Sequence, residues 1–490
     1  MKLTKIGLPL WRLLPILLFP FLAMGSVPAG PAAVEEYDVA ILNGHVMDPE
    51  SGLDAVRNVG ITAGKVLAIS STPIQGRIVI DANGLVVAPG FIDLHQHGQD
   101  ATNYSAKAAD GVTTALELEV GVADIDRWYA ERDGKALINY GASIGHIPVR
   151  MTVMHDPGTF LPTGDAGKRV ATDGELDEIK ALIDKGLRRG ALAVGLGPTY
   201  TPGATNWEVI EVFRVAARYS ASCHVHIRGS VPSTSGYFGG FEEVLAAAAV
   251  TGAPLHVVHI QSTGKTDVVH ELQMIAEARA RGMDVTAEAY PYTRGMTNIE
   301  SARYDGMENE PESVYAAMLW PATGEHLTRE SFLRYRKLGG KVIGPGISEE
   351  DVRAAVVSPF TSIASDGGLN GEIGHPRASG TYAKVLGEYV RERKSLTLMD
   401  ALRKMTLMPA ERLEKRAPVF KDKGRIRVGA DADIAIFDPA RIIDKSTYEK
   451  PALHSEGMEF VLVNGVEVIR DGQPVLGVLP GQGVRAPVVP

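Results

Sequence analysis

Among 490 residues there is one cysteine, Cys223, so no intramolecular disulfide can form. Positive charge is also in short supply. Fifty Lys and Arg against 59 Asp and Glu give a formal net charge of -9, and the chain lacks the basic footprint that a nucleic-acid partner requires. There is no low-complexity tract or short repeat, and 53 Gly with 29 Pro are too few to signal disorder. What is present is a 45% hydrophobic, 22% charged chain. It is long enough to bury a large core and too long for one small domain.

The first 25 residues differ from the rest. Lys2, Lys5 and Arg12 lead into or flank an apolar run that ends at Met24, and the small residues Gly25 and Ser26 follow. That order is the signature of a secretory signal peptide over residues 1–25. The run is short for a spanning helix and is interrupted by Pro15 and Pro20, so no stable membrane anchor is expected. The expectation is a secreted or periplasmic protein, and a chain without disulfides there must rely on its own core.

From Tyr37 onward short strand-like segments alternate with turn signals at Asn43-Gly44 and Ala63-Gly64. Residues 432–438 and 460–469 mirror them, with another Asn-Gly pair at Asn464-Gly465. A small β-sandwich is expected from residues 37–88 plus 424–490. Between these ends, at 89–423, strand-like and helical patterns alternate. Strands are expected at 87–97, 113–120, 147–154, 191–197, 221–228, 254–260, 284–290 and 361–366, with helices at 177–187, 208–219, 241–250 and 268–281. Eight strands alternating with helices predict an α/β fold, a (β/α)8 TIM-like barrel with chemistry at the C-terminal strand ends.

Those ends carry the informative residues. His95 and His97 close the apolar run 85–94, and period-2 geometry puts both on one face. A bare His-x-His is more often a pair of surface histidines. Here an apolar strand leads in, Gly98 follows, and more histidines and acids recur at later strand ends, which favours a divalent metal. On the second strand Glu117 and Glu119 share a face, where uncompensated carboxylates would be costly; Glu119, nearer the mouth, is the preferred candidate. On the fifth, His224, His226 and Arg228 share a face, with His226 nearest the end and His224 either a ligand or a hydrogen-bonded interior histidine. On the sixth, His256 and His259 fall on opposite faces, so only one should look inward, and His259 is the mouth residue. Asp366 precedes Gly367, usually a turn signal, but at the eighth strand of such a barrel it is a candidate ligand and general base.

The stretches Ala88-Pro-Gly-Phe-Ile-Asp-Leu-His-Gln-His97, Gly111-Val-Thr-Thr114, Ala364-Ser-Asp366 and Gly429-Ala-Asp-Ala-Asp-Ile434, with His226 and His259, resemble the amidohydrolase superfamily over nearly the whole chain after the leader. Thr199-Tyr-Thr-Pro-Gly203, His226-Ile-Arg228, Tyr290-Pro-Tyr-Thr293, His375-Pro-Arg377 and the long stretch 380–391 resemble the D-aminoacylase and N-acyl-D-amino-acid (D-glutamate) deacylase group. The resemblance implies one or two zinc ions, with His95, His97 and Asp366 holding one and Glu119, His226 and His259 holding or sharing a second. It implies hydrolysis of an amide to a free amino acid, with Asp366 taking a proton from water and returning it to the leaving nitrogen. Arg377 is the first choice to grip the product's carboxylate, with Arg228 and Tyr292 next and Tyr200 also at the substrate. The substrate is a small N-acyl amino acid or dipeptide-like molecule. The chain departs from the group's pattern in four places. Val120 stands where many members have cysteine, and no lysine ends the fourth strand, which leaves Glu119 as the bridging candidate. Gln261 replaces a lysine and Gly229 an acid. Alternatives are a dipeptidase or cyclic-amide hydrolase, or a secreted binding protein that has lost catalysis.

Overall fold

The structure, a computed structural model, describes residues 36–228 and 238–489; the expected leader and Gly229 lie outside them. Eight parallel strands stand side by side in chain order: Phe91–Asp93, Val112–Val122, Asn139–Gly145, Val194–Leu196, Cys223–Val225, Leu255–Val257, Val285–Ala289 and Thr361–Ile363. Helices Asp173–Arg188, Asn206–Ala217, Phe238–Thr251 and Val268–Ala280 fall where the 3.6 period placed them. Their apolar faces pack on the strands as one core that includes Ile183, Phe213, Val244 and Ile275.

No ladder joins the first and eighth strands. The ring closes at their ends instead, where the His97 amide donates to the Gly367 carbonyl at 2.8 Å. Below that contact the Ser365 amide and hydroxyl donate to Asp93 at 3.0 and 2.5 Å. Asp93 also pairs with Lys107 at 3.1 Å, and both side chains are fully buried.

Two strand expectations are corrected. Residues 147–154 lie largely in a helix, His146–Val153, and the third strand is Asn139–Gly145. A short apolar run does not declare its period, and Gly141 and Gly145 hide the true strand. The expected strand 87–97 is two: Val86–Pro89 pairs antiparallel with Ile434–Phe437 outside the barrel, and only Phe91–Asp93 enters it.

The outer domain is a single nine-stranded sheet from both ends of the chain. Its first strand, Glu36–Asp48, pairs with Gln75–Asp81 along its first half and with Val86–Pro89 along its second. The switch occurs where the register shifts between Ile41 and Gly44, with Asn43 at φ 59°. Asn43-Gly44 is therefore a bulge that turns one sheet over on itself, not the expected hairpin. Ala63-Gly64 and Asn464-Gly465 are hairpin turns. Residues from both halves, including Ile41, Ile80, Ile434 and Leu462, form the enclosed core. The last residues leave this sheet: Tyr140 and Gln482 are joined by a 3.0 Å backbone bond, so the tail runs along the barrel.

A further element was not legible. Between the seventh and eighth barrel strands lies a four-stranded sheet, Arg294–Asn298, Leu319–Trp320, Glu325–His326 and Lys341–Gly346, with its own core of Tyr315, Trp320 and Phe332. No helix among the described residues is long and apolar enough to cross a membrane.

Asp93 is the shared anchor of the closure. Asp93→Ala strands the Lys107 ammonium without its buried partner, and such losses cost about 3–5 kcal/mol. Urea unfolding of the metal-free protein should show a drop of that size; a drop under 1 kcal/mol would mean the ring closes without this pair.

Candidate metal centre

The second strand is bulged near its end. Its pairing with the third strand skips from Glu117 to Val122, and Gly121 sits at φ 68°. The bulge pushes residues 118–120 against the next two strands, which yield because they carry glycine there. A Cβ on Gly145 would lie 1.9 Å from the Val120 carbonyl, and one on Gly195 would lie 2.2 Å from that of Glu119. Glu119 is thereby brought over the barrel axis with only 2% of its surface exposed.

There it meets all four candidate histidines. Its Oε2 is 3.2 Å from His95 Nε2 and 3.3 Å from His97 Nε2, and its Oε1 is 2.7 Å from His226 Nδ1 and 3.5 Å from His259 Nε2. Asp366 faces the same group, with Oδ1 3.5 and 3.3 Å from the His95 and His97 Nε2 atoms and Oδ2 4.0 Å from His259. All six residues singled out at the strand ends converge. Glu117 takes the outer side of His97 instead, accepting from Nδ1 at 2.9 Å.

Two of these residues reach the site through left-handed backbone, His259 at φ 34° and Asp366 at φ 51°. A non-glycine residue held there costs on the order of 1–3 kcal/mol. The same geometry corrects the reading of the sixth strand. Alternation ends with the ladder at Val257, so both His256 and His259 join the interior network. His256 Nε2 is 3.0 Å from Glu288 Oε2, and Glu288 Oε1 is 2.5 Å from His95 Nδ1. Glu288 was missed. Its signal was the one used for Glu119, a carboxylate inside a strand, Val285–Ala289, that is apolar apart from Thr286.

The donor set fits a divalent cation. Carboxylates only accept, so His95 donates its Nδ1–H to Glu288 and His97 donates its own to Glu117. In the neutral imidazoles the two Nε2 lone pairs then face each other at 3.2 Å, an arrangement that needs positive charge between them. Burial opposes a charged His97, yet Glu117 and then Asp366 and Glu119 carry its pKa up to about 10. His226, buried and beside His259, is pushed down to about 3. Four buried carboxylates, Glu117, Glu119, Glu288 and Asp366, surround these histidines, and a metal ion among them would supply positive charge without protons.

The expected substrate contacts divide. Tyr200 lines a cavity of about 450 Å³ that reaches His226, His259 and Asp366, and its hydroxyl accepts from Thr297 at 3.1 Å. Arg377 is buried beside Asp366, with Nη2 at 2.8 Å from Oδ2 and the guanidinium 4.6 Å above the Tyr290 ring. Burial opposes ionisation of Asp366, but the Arg377 charge together with His95, His97 and His259 holds its carboxyl well below the usual range. Arg228 and Tyr292 are committed elsewhere. Arg228 binds Glu243 at 2.9 Å and the carbonyls of Pro198, Pro202 and Ala204, and Tyr292 donates to Asp444 at 3.3 Å. The cations lining the cavity are instead Lys265 and Arg303. Neither stood out in the sequence, since Lys265 follows the sixth strand by eight residues and Arg303 belongs to the inserted lobe.

The sequence profile of the amidohydrolase family matches residues 78–476. The chain belongs to that family. It is 29% identical over 492 residues to an N-acyl-D-glutamate deacylase of Alcaligenes xylosoxydans xylosoxydans, covering 90% of this chain and 95% of the relative. It is 26% identical over 478 residues to a D-aminoacylase of the same organism, covering 89% and 95%. The crystal structure of an N-acyl-D-glutamate deacylase from Bordetella bronchiseptica, complexed with zinc and a phosphonate inhibitor, superposes with a TM-score of 0.79 at 26% identity, over 92% of this chain and all of that one. The expected resemblance to the D-aminoacylase and N-acyl-D-glutamate deacylase group, and the barrel with its two-ended sheet, agree with these relatives.

Two measurements check the centre. Below a pH of about 10 the metal-free His97 carries its proton, so a cation must displace it, and affinity should tighten by about tenfold per pH unit for each proton released. Zinc titrations between pH 6 and 9 in buffers of different ionisation enthalpy read both quantities; pH-independent binding would refute the site. Glu119→Gln keeps the size but halves the acceptor capacity facing the histidines, and should lower metal content in dialysed protein. Full metal content in that variant, with loss in Glu117→Gln, would move the bridge one inward position back.

Proposed function

We propose that this protein is a zinc-dependent hydrolase that removes the acyl group from N-acyl-D-amino acids. The observation that carries the reading is Glu119 set between two histidine pairs, one oxygen to each, beside His226, His259 and Asp366, which line a cavity walled by Lys265 and Arg303. The D-series deacylase relatives support the substrate class and its hand. When bound there, zinc supplies an acidified water and polarises the scissile carbonyl.

The protein's own groups do the rest. Asp366, held ionised by Arg377, accepts the water's proton and delivers it to the leaving nitrogen as the amide breaks. Tyr290, packed under Arg377 and lining the cavity, keeps that base dry on one side. Lys265 and Arg303 offer charge to the carboxylate that every N-acyl amino acid carries. The cavity's volume of about 450 Å³ suits a small molecule and leaves no room for a folded partner. The composition of residues 1–25 supports export of the enzyme to the periplasm or medium.

A panel of N-acetyl-D- and N-acetyl-L-amino acids and dipeptides, scored for released amine, tests the assignment. Amine release confined to the D-acyl substrates is expected, lost on chelation and restored by zinc; cleavage of dipeptides alone would replace the reading with a peptidase. Asp366→Asn still presents one oxygen to a metal but cannot carry the proton. It should cut kcat by about 10²-fold or more with KM little changed, and near wild-type turnover would reduce Asp366 to a turn residue.

A further inference from the structure

A second cluster of ligand-type side chains lies deeper in the barrel. His224 and His256 are register partners on the fifth and sixth strands, so their side chains share a face, and their rings lie 4.5 Å apart. His256 is in turn the register partner of Thr286, and Glu288 projects two residues further along the same strand. One donor atom from each of His224, His256 and Glu288 lies within 4.8 Å of the other two. All three side chains are at most 1% exposed.

Their outer atoms are already held. His256 Nδ1 is 2.8 Å from the Thr286 hydroxyl, and His224 Nε2 is 3.1 Å from that of Ser222. Such bonds fix ring orientation and tautomer in metal-ligating histidines. The other nitrogen of His224, Nδ1, is buried and has no hydrogen-bond partner among the described residues. An orphaned buried polar atom of this kind is destabilising unless something binds to it.

We propose that His224, His256 and Glu288 form a second divalent-metal site, for an ion of the zinc class, below the catalytic centre. Two imidazole nitrogens and a carboxylate oxygen are a three-ligand zinc set that leaves a fourth position for water. The 3.0 Å between His256 Nε2 and Glu288 Oε2 is a few tenths of an ångström short of the roughly 3.4 Å between adjacent tetrahedral ligands of an ion held at about 2.0–2.2 Å, so the two groups need to part only slightly to admit one. Access is from the opposite end of the barrel. A cavity of about 630 Å³ there is lined by His256, Thr286, Asp284 and Arg412, and the Arg412 charge is taken up by Asp284 at 2.7 and 2.8 Å. The catalytic cavity does not reach His256.

The two sites share Glu288, whose other oxygen holds His95 Nδ1 at 2.5 Å. An ion on the lower oxygen draws charge from that carboxylate and weakens its pull on the His95 proton, leaving His95 a poorer donor to the upper metal. Filling the lower site should therefore loosen the upper one, and by linkage the reverse.

Zinc-loaded wild-type crystals measured at the zinc absorption edge decide the matter. The expected result is an anomalous peak bonded to His224, His256 and Glu288, separate from density among His95, His97 and Asp366. Dialysed His224→Gln should hold one zinc equivalent fewer than wild type and keep the upper peak, whereas His97→Ala should lose metal above and keep the lower peak. Water-like density without anomalous signal at saturating zinc, or equal zinc content in wild type and His224→Gln, would overturn the site. If His224→Gln does not fold, the wild-type peak decides alone. The site does not depend on the reaction proposed above, so inactivity toward acyl amino acids leaves this test intact.

Discussion

Glu119 places a carboxylate among four imidazoles with almost no water, and the irregular backbone of the barrel mouth follows from that requirement. A buried carboxylate without partners costs several kcal/mol, so its surroundings must come close. The bulge at 118–121 brings it inward, Gly145 and Gly195 leave the space, and His259 accepts a left-handed conformation to face it. Glu117 and Glu288 then take the outer nitrogens of His97 and His95, which directs the inner lone pairs to one point. Unfavourable backbone and unfavourable burial are tolerated because each supports one charged centre.

Asp366 and Arg377 form the other half of that centre, and their pairing explains why a long group-specific stretch follows His375-Pro-Arg377. The helix Arg377–Lys384 continues into a π-turn segment, Val385–Glu392, where the usual backbone pattern is interrupted. Just before that segment, Asp110 accepts from the Tyr382 and Ala383 amides at 2.8 and 3.0 Å. Burial, against the pull of Lys107, pushes the Asp110 carboxyl up to about 7. Tyr382 stacks on Phe91 at 5.3 Å, beside the strand that presents His95 and His97. The stretch therefore holds the helix bearing Arg377 in register with the strand that leads to His95 and His97.

Much of this was legible in the sequence because period-2 and period-3.6 patterns survive wherever a ladder or helix is intact. Seven of the eight barrel strands, the two-ended outer sheet and the shared face of His95 and His97 follow from such patterns. Arg377 was chosen for a carboxylate and found one, although that carboxylate belongs to Asp366. Arg228 was legible as a buried-face arginine, but sequence cannot show that Glu243 and three loop carbonyls occupy it first.

The misreadings have a common origin at the points where a ladder stops. Asn43 sits in a strand that changes partners, and residues 147–154 follow a strand whose glycines weaken its signature. His259 lies two residues past the last pair on its strand. Beyond such points side-chain direction is set by single φ values and by neighbours distant in sequence. Chemistry concentrates at the same points, because a side chain must leave the sheet's alternation to reach a common centre with others. Residues such as Glu288 and His256, still inside their ladders, were open to the same alternation argument that found Glu119. They form the regular layer on which the irregular one stands.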